Sequence, residues 1–324
     1  MNISERHCGL VVNYKCNAAC RHCLYACSPS RSGGYMNASS CERICNLLKS
    51  KDIHSLHIGG GEPFLDFDKL LEIVHTVHRC EINIEYLETN GFWASDEKQA
   101  IHYVNELKKA GINKLLISID PFHIEYVPVG LPLRLAEICK NEGMGYFYWQ
   151  EQYKHKLSLL DRDKIYTRTE LEHSLSQHYI VETTNSYGLG IETGRAINIG
   201  LEYMPKKPVS DLLTNSLPCK HLLSTSFIHI DHNEKYVVPS CTGITIPLED
   251  AMKGIPRGRY LVYETLVIDG IRGLIKFSEG LGVMIDDVYV SYCSLCFDIR
   301  HKLSMTKSYA ELDYEHYESV MSFY

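Results

Sequence analysis

Three cysteines near the start of the chain, Cys16, Cys20 and Cys23, are separated by three and then two residues. Three thiolates on one short loop can wrap a single small metal centre, and thiolate suits iron–sulfur clusters and zinc alike. Structural zinc wants a fourth protein ligand, which Cys27 or His22 could supply. A cluster held by three cysteines leaves one iron open to another ligand. A second set of thiols stands late in the chain: Cys219, Cys241 and the pair Cys293 and Cys296. Two ligands bracketing a hairpin and a later C-x2-C can fold into one four-cysteine site, and the spacing fits [4Fe–4S] or zinc equally. Among the other cysteines, Cys41 and Cys45 share one helical face, and they, Cys8, Cys80 and Cys139 read as small packing side chains.

Other residues that could do chemistry follow apolar runs. Gly59-Gly60-Gly61-Glu62-Pro63 combines glycines, which allow close backbone approach to a ligand, with a carboxylate able to accept from an amino group. Glu88-Thr89-Asn90-Gly91 and Ser118-Ile119-Asp120 end two further runs. In Asp120-Pro121-Phe122-His123 the imidazole of His123, with Asp120 beside it, is a candidate proton carrier. Gly194-Arg195-Ala196 offers a guanidinium suited to a carboxylate. His54 and His57 read as packing residues, His75 and His78 as a solvated helix face, and Arg257 and Arg259 as a solvated loop.

The elements that must position these groups alternate in type. Residues 9–14, 54–58, 82–87, 114–119 and 144–150 read as strands, while 39–51, 66–78, 95–110 and 131–141 carry helical apolar spacing. A strand–helix repeat of this kind predicts an α/β fold with a mostly parallel sheet. The polar and glycine-rich segments then fall at the carboxyl ends of the strands, where such folds place their sites. Tyr146, Tyr148 and Gln150 share one face of the last run and Phe147 and Trp149 the other; whichever points inward lines a pocket. A further strand is expected near 191–199, a hairpin over 227–230 and 235–238, a loop over 250–259, and a helix over 265–277 weakened by Gly270 and Gly273. The style changes after Pro205, which places a boundary there: 1–205 as the core and 206–324 as a smaller region.

The chain has 324 residues, 45% of them hydrophobic, which is enough for a real core. A net charge of −7 argues against a general nucleic-acid binder, whose affinity comes from Lys and Arg. No apolar stretch reaches the length of a membrane span, and the first residues do not read as an export signal. The expectation is a cytoplasmic protein with no nucleic-acid or membrane partner, whose clustered cysteines bind metal rather than pair.

The octet Cys16-Asn17-Ala18-Ala19-Cys20-Arg21-His22-Cys23 resembles the cluster motif of the radical S-adenosylmethionine (SAM) superfamily, and Gly59 to Pro63 resembles its glycine–glutamate segment. The resemblance covers residues 8 to about 200. It implies a partial (β/α)6 TIM-like barrel in which Cys16, Cys20 and Cys23 bind three irons of a [4Fe–4S] cluster. The amino and carboxylate groups of SAM would chelate the fourth. It further implies a cofactor pocket made by His22, Gly60, Gly61, Glu62, Pro63, Thr89, Asn90, Ser118, Asp120 and Arg195, and a flavodoxin- or ferredoxin-type reductant. The surroundings of Cys219 and Cys241 resemble the SPASM and twitch extensions of the same superfamily. With four cysteines after residue 206 the region is closer to the one-cluster twitch type, with an auxiliary [4Fe–4S] cluster on Cys219, Cys241, Cys293 and Cys296. If one of those four is not a ligand, it becomes a candidate hydrogen-atom donor. Members with this extension often modify ribosomally made peptides, by epimerisation or crosslinking among other outcomes. There is little room before Cys8 for a leader-binding domain, as in peptide epimerases that lack one. A small-molecule substrate is the alternative within the superfamily; a non-catalytic zinc or iron–sulfur protein is the alternative outside it.

Overall fold

The computed structural model describes residues 7–186, 193–214, 218–223, 227–238, 241–306 and 308–323. Five strands, β1 (His7–Val11), β2 (Ser55–Gly59), β3 (Asn83–Thr89), β4 (Lys114–Ser118) and β5 (Gly145–Trp149), lie parallel and in sequence order. The first four are each followed by a helix that returns the chain: α1 (Ala38–Lys49), α2 (Phe67–Arg79), α3 (Glu97–Lys109) and α4 (Gly130–Glu142). The helices begin where the sequence supplies caps. Asn37, Asp66 and Asp96 accept from the backbone N–H groups of Ser40, Lys69 and Gln99, each meeting one orphan donor of a first turn.

One face of the sheet is apolar. Leu10, Leu56, Ile58, Leu87, Leu115 and Ile117 are completely buried, in one core with Ile44, Leu48, Leu70, Ile73, Val74, Val77, Val104 and Leu107 of the helices. Alternation therefore sends the intervening residues to the opposite, concave face. Tyr148 is buried, whereas Phe147 and Trp149 remain 38% and 37% exposed on that concave side.

Short helices fill the middle of the chain: α5 (Lys154–Leu157), α6 (Arg168–Ser174), α7 (Tyr179–Ser186) and α8 (Ile197–Tyr203). The expected strand near 191–199 is absent among the described residues, which form a 3-10 turn at Gly194–Ala196 running into α8; residues 191 and 192 lie outside them. Next come β6 (Lys207–Pro208), which pairs antiparallel with β10 (Val288–Tyr289), and α9 (Val209–Leu213).

The expected hairpin is present as β7 (Phe227–Asp231) and β8 (Lys235–Val237), followed by β9 (Thr245–Pro247). It does not stand apart. β7 pairs parallel with β1, so the sheet runs β5-β4-β3-β2-β1-β7-β8-β9 and stays open. The sixth parallel strand thus comes from the C-terminal region and sits beside β1, where a (β/α)6 reading would add it beside β5. Beyond β9 the chain is mainly helical: α10 (Leu248–Lys253), in place of the expected loop, α11 (Leu261–Ile268), α12 (Gly270–Glu279), α13 (Tyr292–Ser304) and α14 (Tyr314–Met321). The single helix expected over 265–277 breaks in two at Gly270. No helix among the described residues is long and apolar enough to cross a membrane.

Candidate metal and cofactor centre

Cys16, Cys20 and Cys23 lie on the loop that leaves β1 at the carboxyl edge of the sheet. The loop is folded by its own backbone: Cys16 N–H donates to Ser28 O (3.2 Å) and Cys23 N–H to Cys20 O (3.1 Å). The three thiols are close enough to act on one another electrostatically. Two already accept backbone N–H groups, Cys16 Sγ from Ala18 (3.3 Å) and Cys23 Sγ from Cys27 (3.3 Å). Such bonds stabilise a metal-bound sulfur. The Cys23 thiol is pulled below the ordinary thiol range, chiefly by a hydrogen bond from the Cys27 thiol, with the nearby Arg195 guanidinium adding to the effect. A preformed loop of three convergent soft ligands fits an iron–sulfur cluster.

Two segments brace this loop. The first is Gly60 to Pro63. Gly61 N–H donates to Asn13 O (2.9 Å) and Glu62 N–H to Lys15 O (3.0 Å). A Cβ at Gly61 would sit 2.1 Å from Lys15 O, so only glycine lets the two backbones meet just before Cys16. The Glu62 carboxylate is buried and accepts from Phe64 N–H (3.1 Å), Thr89 Oγ1 (2.9 Å) and Asn90 N–H (2.8 Å). Burial nevertheless raises its pKa to about 7. Asn90 Nδ2 donates to Asn17 Oδ1 (2.8 Å), which ties the end of β3 to the loop. Pro63 begins a 3-10 turn and its carbonyl accepts from Tyr35 Oη (3.1 Å).

The second brace is Gly194–Ala196. Arg195 is 1% exposed; its Nη1 donates to Cys20 O (2.7 Å) and its Nη2 to Cys27 O (2.8 Å). Its guanidinium lies over the Phe323 ring at 4.6 Å. Both terminal nitrogens are thus engaged by the loop itself, where a reach toward a cofactor carboxylate was expected. Gly194, at φ +56°, packs so closely that a Cβ would lie 2.5 Å from Cys23 O and Leu24 O.

Asp120 and His123 lie beyond β4. Asp120 is buried, its Oδ1 accepting from Phe122 N–H (2.8 Å) and His123 N–H (3.2 Å) and its Oδ2 lying 2.5 Å from His123 Nδ1. His22, between the second and third cysteines, stacks on Phe122 (5.1 Å) and meets His123 edge-on (5.2 Å). Ser118 ends β4, half-buried and on the concave side.

That concave side also holds residues whose role the sequence did not signal. His57 stacks on Tyr86 (5.0 Å) and lies 3.6 Å from Glu88 Oε1; His229 of β7 meets His57 edge-on (5.4 Å) and hydrogen-bonds Tyr25 Oη. Gly9 separates the two histidines, which crowd the place of its missing side chain. Tyr86 meets Phe147 edge-on (5.3 Å). His57 reads as packing in the sequence, and it does pack, against Tyr86 and His229. His229 reaches the group only because β7 pairs with β1, a contact between residues more than 200 apart.

In the second set, Cys219, Cys241 and Cys296 come together. Cys241 feels the charge of Cys296 and Cys219, and Cys296 that of Cys219; burial pushes Cys241 up to about 12 and raises Cys296, while Arg300 opposes both. Arg300 is buried, its charge acts on Cys241 and Cys296, and its Nη1 donates to Tyr317 Oη (2.8 Å). Cys293 lies half-buried one turn before Cys296 on α13. α14 reaches toward both cysteine sets: Tyr317 accepts from Arg300, and His316 beside it lies near the backbone of Tyr25 in the first loop.

The sequence pattern of the Radical SAM superfamily matches residues 10–142. A candidate peptide biosynthesis protein of Bacillus subtilis (strain 168), YydG, is 30% identical over 113 residues, 35% of this chain and 35% of that protein. A probable GTP 3′,8-cyclase of Methanothermobacter thermautotrophicus is 24% identical over 131 residues, 39% of this chain and 40% of that protein. The matches therefore span well under half the length of these relatives. Among solved structures, BtrN in complex with AdoMet and 2-DOIA aligns over 84% of this chain and 91% of its own, at 14% identity and a TM-score of 0.45. The matched segment, residues 10–142, contains the first cysteine loop, the glycine–glutamate segment and the ends of β3 and β4.

Proposed function

Residues 10–142 are a domain of the Radical SAM superfamily, and from that premise we propose that the protein is a radical SAM enzyme acting on a ribosomally made peptide. In this reading Cys16, Cys20 and Cys23 hold a [4Fe–4S] cluster whose open iron takes the amino and carboxylate groups of SAM. When bound, the pair supplies reductive cleavage of SAM to methionine and a 5′-deoxyadenosyl radical that removes a hydrogen atom from the substrate.

The chain's own residues supply position. Gly60, Gly61, Glu62 and Pro63 form one wall of the cofactor pocket, and Glu62, already held by Thr89 and Asn90, presents an acceptor to the amino group. Ser118, Asp120 and His22 form the opposite wall. Arg195 contributes by fixing the loop that carries the cysteines. The concave face between the cluster loop and β5, with Tyr86, Phe147 and Trp149, receives the substrate. Cys219, Cys241, Cys293 and Cys296 hold an auxiliary cluster, so residues 1–205 and 206–324 each carry one metal centre although their strands share a sheet. Electrons come from a flavodoxin- or ferredoxin-type reductant.

The observation that carries the reading is the convergence of three thiols with a buried carboxylate fixed at the carboxyl ends of β2 and β3. The peptide assignment is supported by the description of YydG; the GTP cyclase favours a small molecule instead. Anaerobically reconstituted protein with a strong reductant should release 5′-deoxyadenosine from SAM. With a peptide substrate in deuterated water, epimerisation takes up solvent deuterium at one carbon, and a crosslink loses two hydrogens.

One specific contact favours a second reading. Cys27 lies against Cys23, its N–H donating to Cys23 Sγ (3.3 Å), and could add a fourth thiol; a closed four-cysteine zinc site would have no open position. Stoichiometric zinc that depends on Cys27 would decide for it.

A further inference from the structure

Two glycines on the concave face make room for side chains from the strands beside them. Gly9 of β1 pairs with His57 of β2 on one side and with His229 of β7 on the other. A Cβ at Gly9 would lie 2.4 Å from His57 Nε2 and 2.8 Å from His229 Cδ2, so both rings lean over β1. At Gly59 of β2 a Cβ would lie 2.4 Å from Glu88 Oε2 and 2.9 Å from its Cδ, so the carboxylate from β3 lies flat on β2. Neither glycine has the positive φ that would itself call for glycine. Glycine inside a strand weakens the strand and marks a place that another group approaches closely. At Gly9 and Gly59 that group is polar: His57, His229 and Glu88 are gathered into one basin.

The basin has no cation of its own. The ion-pair neighbour of Glu88 among the described residues is His57, whose Nε2 lies 3.6 Å from Oε1. Lys114 of β4 places its Nζ over the Phe147 ring instead (5.8 Å). The charge of Glu62 also acts on Glu88, so an anion would be repelled here twice over. The Glu88 side chain is 37% exposed and is reached from the concave side. A carboxylate withdrawn partly from water is satisfied by an opposite charge that also donates protons. Aromatic rings stand around it: Tyr86 stacks on His57 (5.0 Å) and Phe147 meets Tyr86 edge-on (5.3 Å). Such rings attract a cation with their faces and pack against its alkyl stem. Carboxylate and rings together suit a primary ammonium group, which brings three donors on a narrow stem.

We propose that Glu88, seated on Gly59 beside His57, is a specificity-determining residue that binds a primary ammonium group of the substrate at the floor of the concave face. This rests on the reading that the concave face receives the substrate of a radical SAM enzyme, and it adds which group of that substrate is gripped. Glu88 stands two residues before Asn90, whose N–H holds Glu62 (2.8 Å), so the anchored group lies below the cofactor pocket. A lysine side chain and a free peptide amino terminus both carry such a group.

The test is equilibrium binding of three short peptide amides to reconstituted full-length protein with SAM. Acetyl-Gly-Lys-Gly-amide carries a side-chain ammonium, acetyl-Gly-norleucine-Gly-amide carries none, and Gly-norleucine-Gly-amide carries only a terminal one. At about pH 7.5 the Glu88 carboxyl, raised to about 7, is mostly ionised and both amines are mostly protonated. At least one amine peptide should bind about tenfold tighter than the neutral peptide, and which one does assigns the source of the ammonium. Glu88→Gln should abolish that preference, and Glu88→Lys should turn it into discrimination against the amine. Should one variant not fold, the other decides. Equal affinities in the wild type, no binding of any of the peptides, or a preference that survives in the variants would overturn the proposal. Iron and the paramagnetic signal that SAM perturbs are measured in the same samples. Their presence alongside equal affinities sinks the amine subsite and leaves the enzyme reading standing. Their absence from the wild type sinks the enzyme reading, while the peptide comparison still decides whether Glu88 binds an amine.

Discussion

Arg195 donates from Nη1 to the carbonyl of Cys20 at 2.7 Å, across 175 positions of sequence. Its second terminal nitrogen binds Cys27 O, so one buried guanidinium closes the cysteine loop at both ends. Removing it takes the Arg195 donor from Cys27 O and leaves Cys20 O with only the Cys23 N–H. Arg195→Ala should therefore cost the metal-free protein about 2–4 kcal/mol, from charge-assisted bonds of roughly 1.5–3 kcal/mol each that partly relax. It should also lower iron uptake at the first centre. Chemical denaturation and iron analysis read the two effects; unchanged values for both would mean the clamp is idle. Arg195→Lys should recover little, because a single ammonium nitrogen lacks the rigid fork whose two separate nitrogens reach Cys20 O and Cys27 O.

Gly61→Ala tests the other brace. The added methyl would meet Lys15 O at 2.1 Å, and neither backbone can give without moving the loop or the start of the Glu62 turn. The expected result is weaker SAM binding together with lower iron content, measured by equilibrium binding and metal analysis. Full binding of SAM by this variant would show that the contact is not needed to shape the pocket.

Glu88 makes a pH prediction. Burial, aided by the charge of Glu62, raises its pKa to about 7 from 4.5. The folded state then favours the neutral carboxyl. Between pH 4.5 and 7 the unfolded chain has released this proton and the folded chain has not, so stability falls as pH rises through that window. Glu88→Gln mimics the neutral form. The melting temperatures of metal-free wild type and Glu88→Gln should agree near pH 5 and separate by pH 8, with the variant more stable. A constant difference across that range would contradict the assignment.

Much of the fold was legible because it is local. Each of β1 to β5 and α1 to α4 is marked by its own periodicity, and caps such as Asn37, Asp66 and Asp96 stand within a few residues of the elements they start. The pairing of β7 with β1 was not legible, since nothing in 227–231 says which strand it will join. The order of residues likewise put Cys16, Cys20 and Cys23 on one loop and Glu62, Thr89 and Asn90 at strand ends. It did not show that the Arg195 side chain would turn to the backbone of that loop. Nor did it show that His57, His229 and Tyr25 would meet, because the pairing of β7 with β1 brings His229 to the group and only the folded loop aims Tyr25 at it.

Arg300 gives a prediction for the second centre. Its buried charge lies against Cys241 and Cys296, where an unpaired thiolate would be costly. If Cys219, Cys241, Cys293 and Cys296 hold the proposed auxiliary cluster, Arg300→Met should lose it while keeping the first, so reconstituted iron should fall from about eight to about four per chain. Retention of all the iron would show that the thiols need no compensating cation; loss of all of it would show that α13 and α14 support both centres together.

The central claim is that Cys16, Cys20 and Cys23 hold a cluster with one iron open to SAM. The most direct measurement is the electron paramagnetic resonance spectrum of the reduced first cluster, with and without SAM, in a variant carrying Cys219→Ala, Cys241→Ala and Cys296→Ala. The account predicts a four-iron signal whose g values change when SAM is added, and which vanishes when Cys16, Cys20 or Cys23 is replaced by Ala. A spectrum indifferent to SAM, or a silent protein holding one zinc, would contradict it.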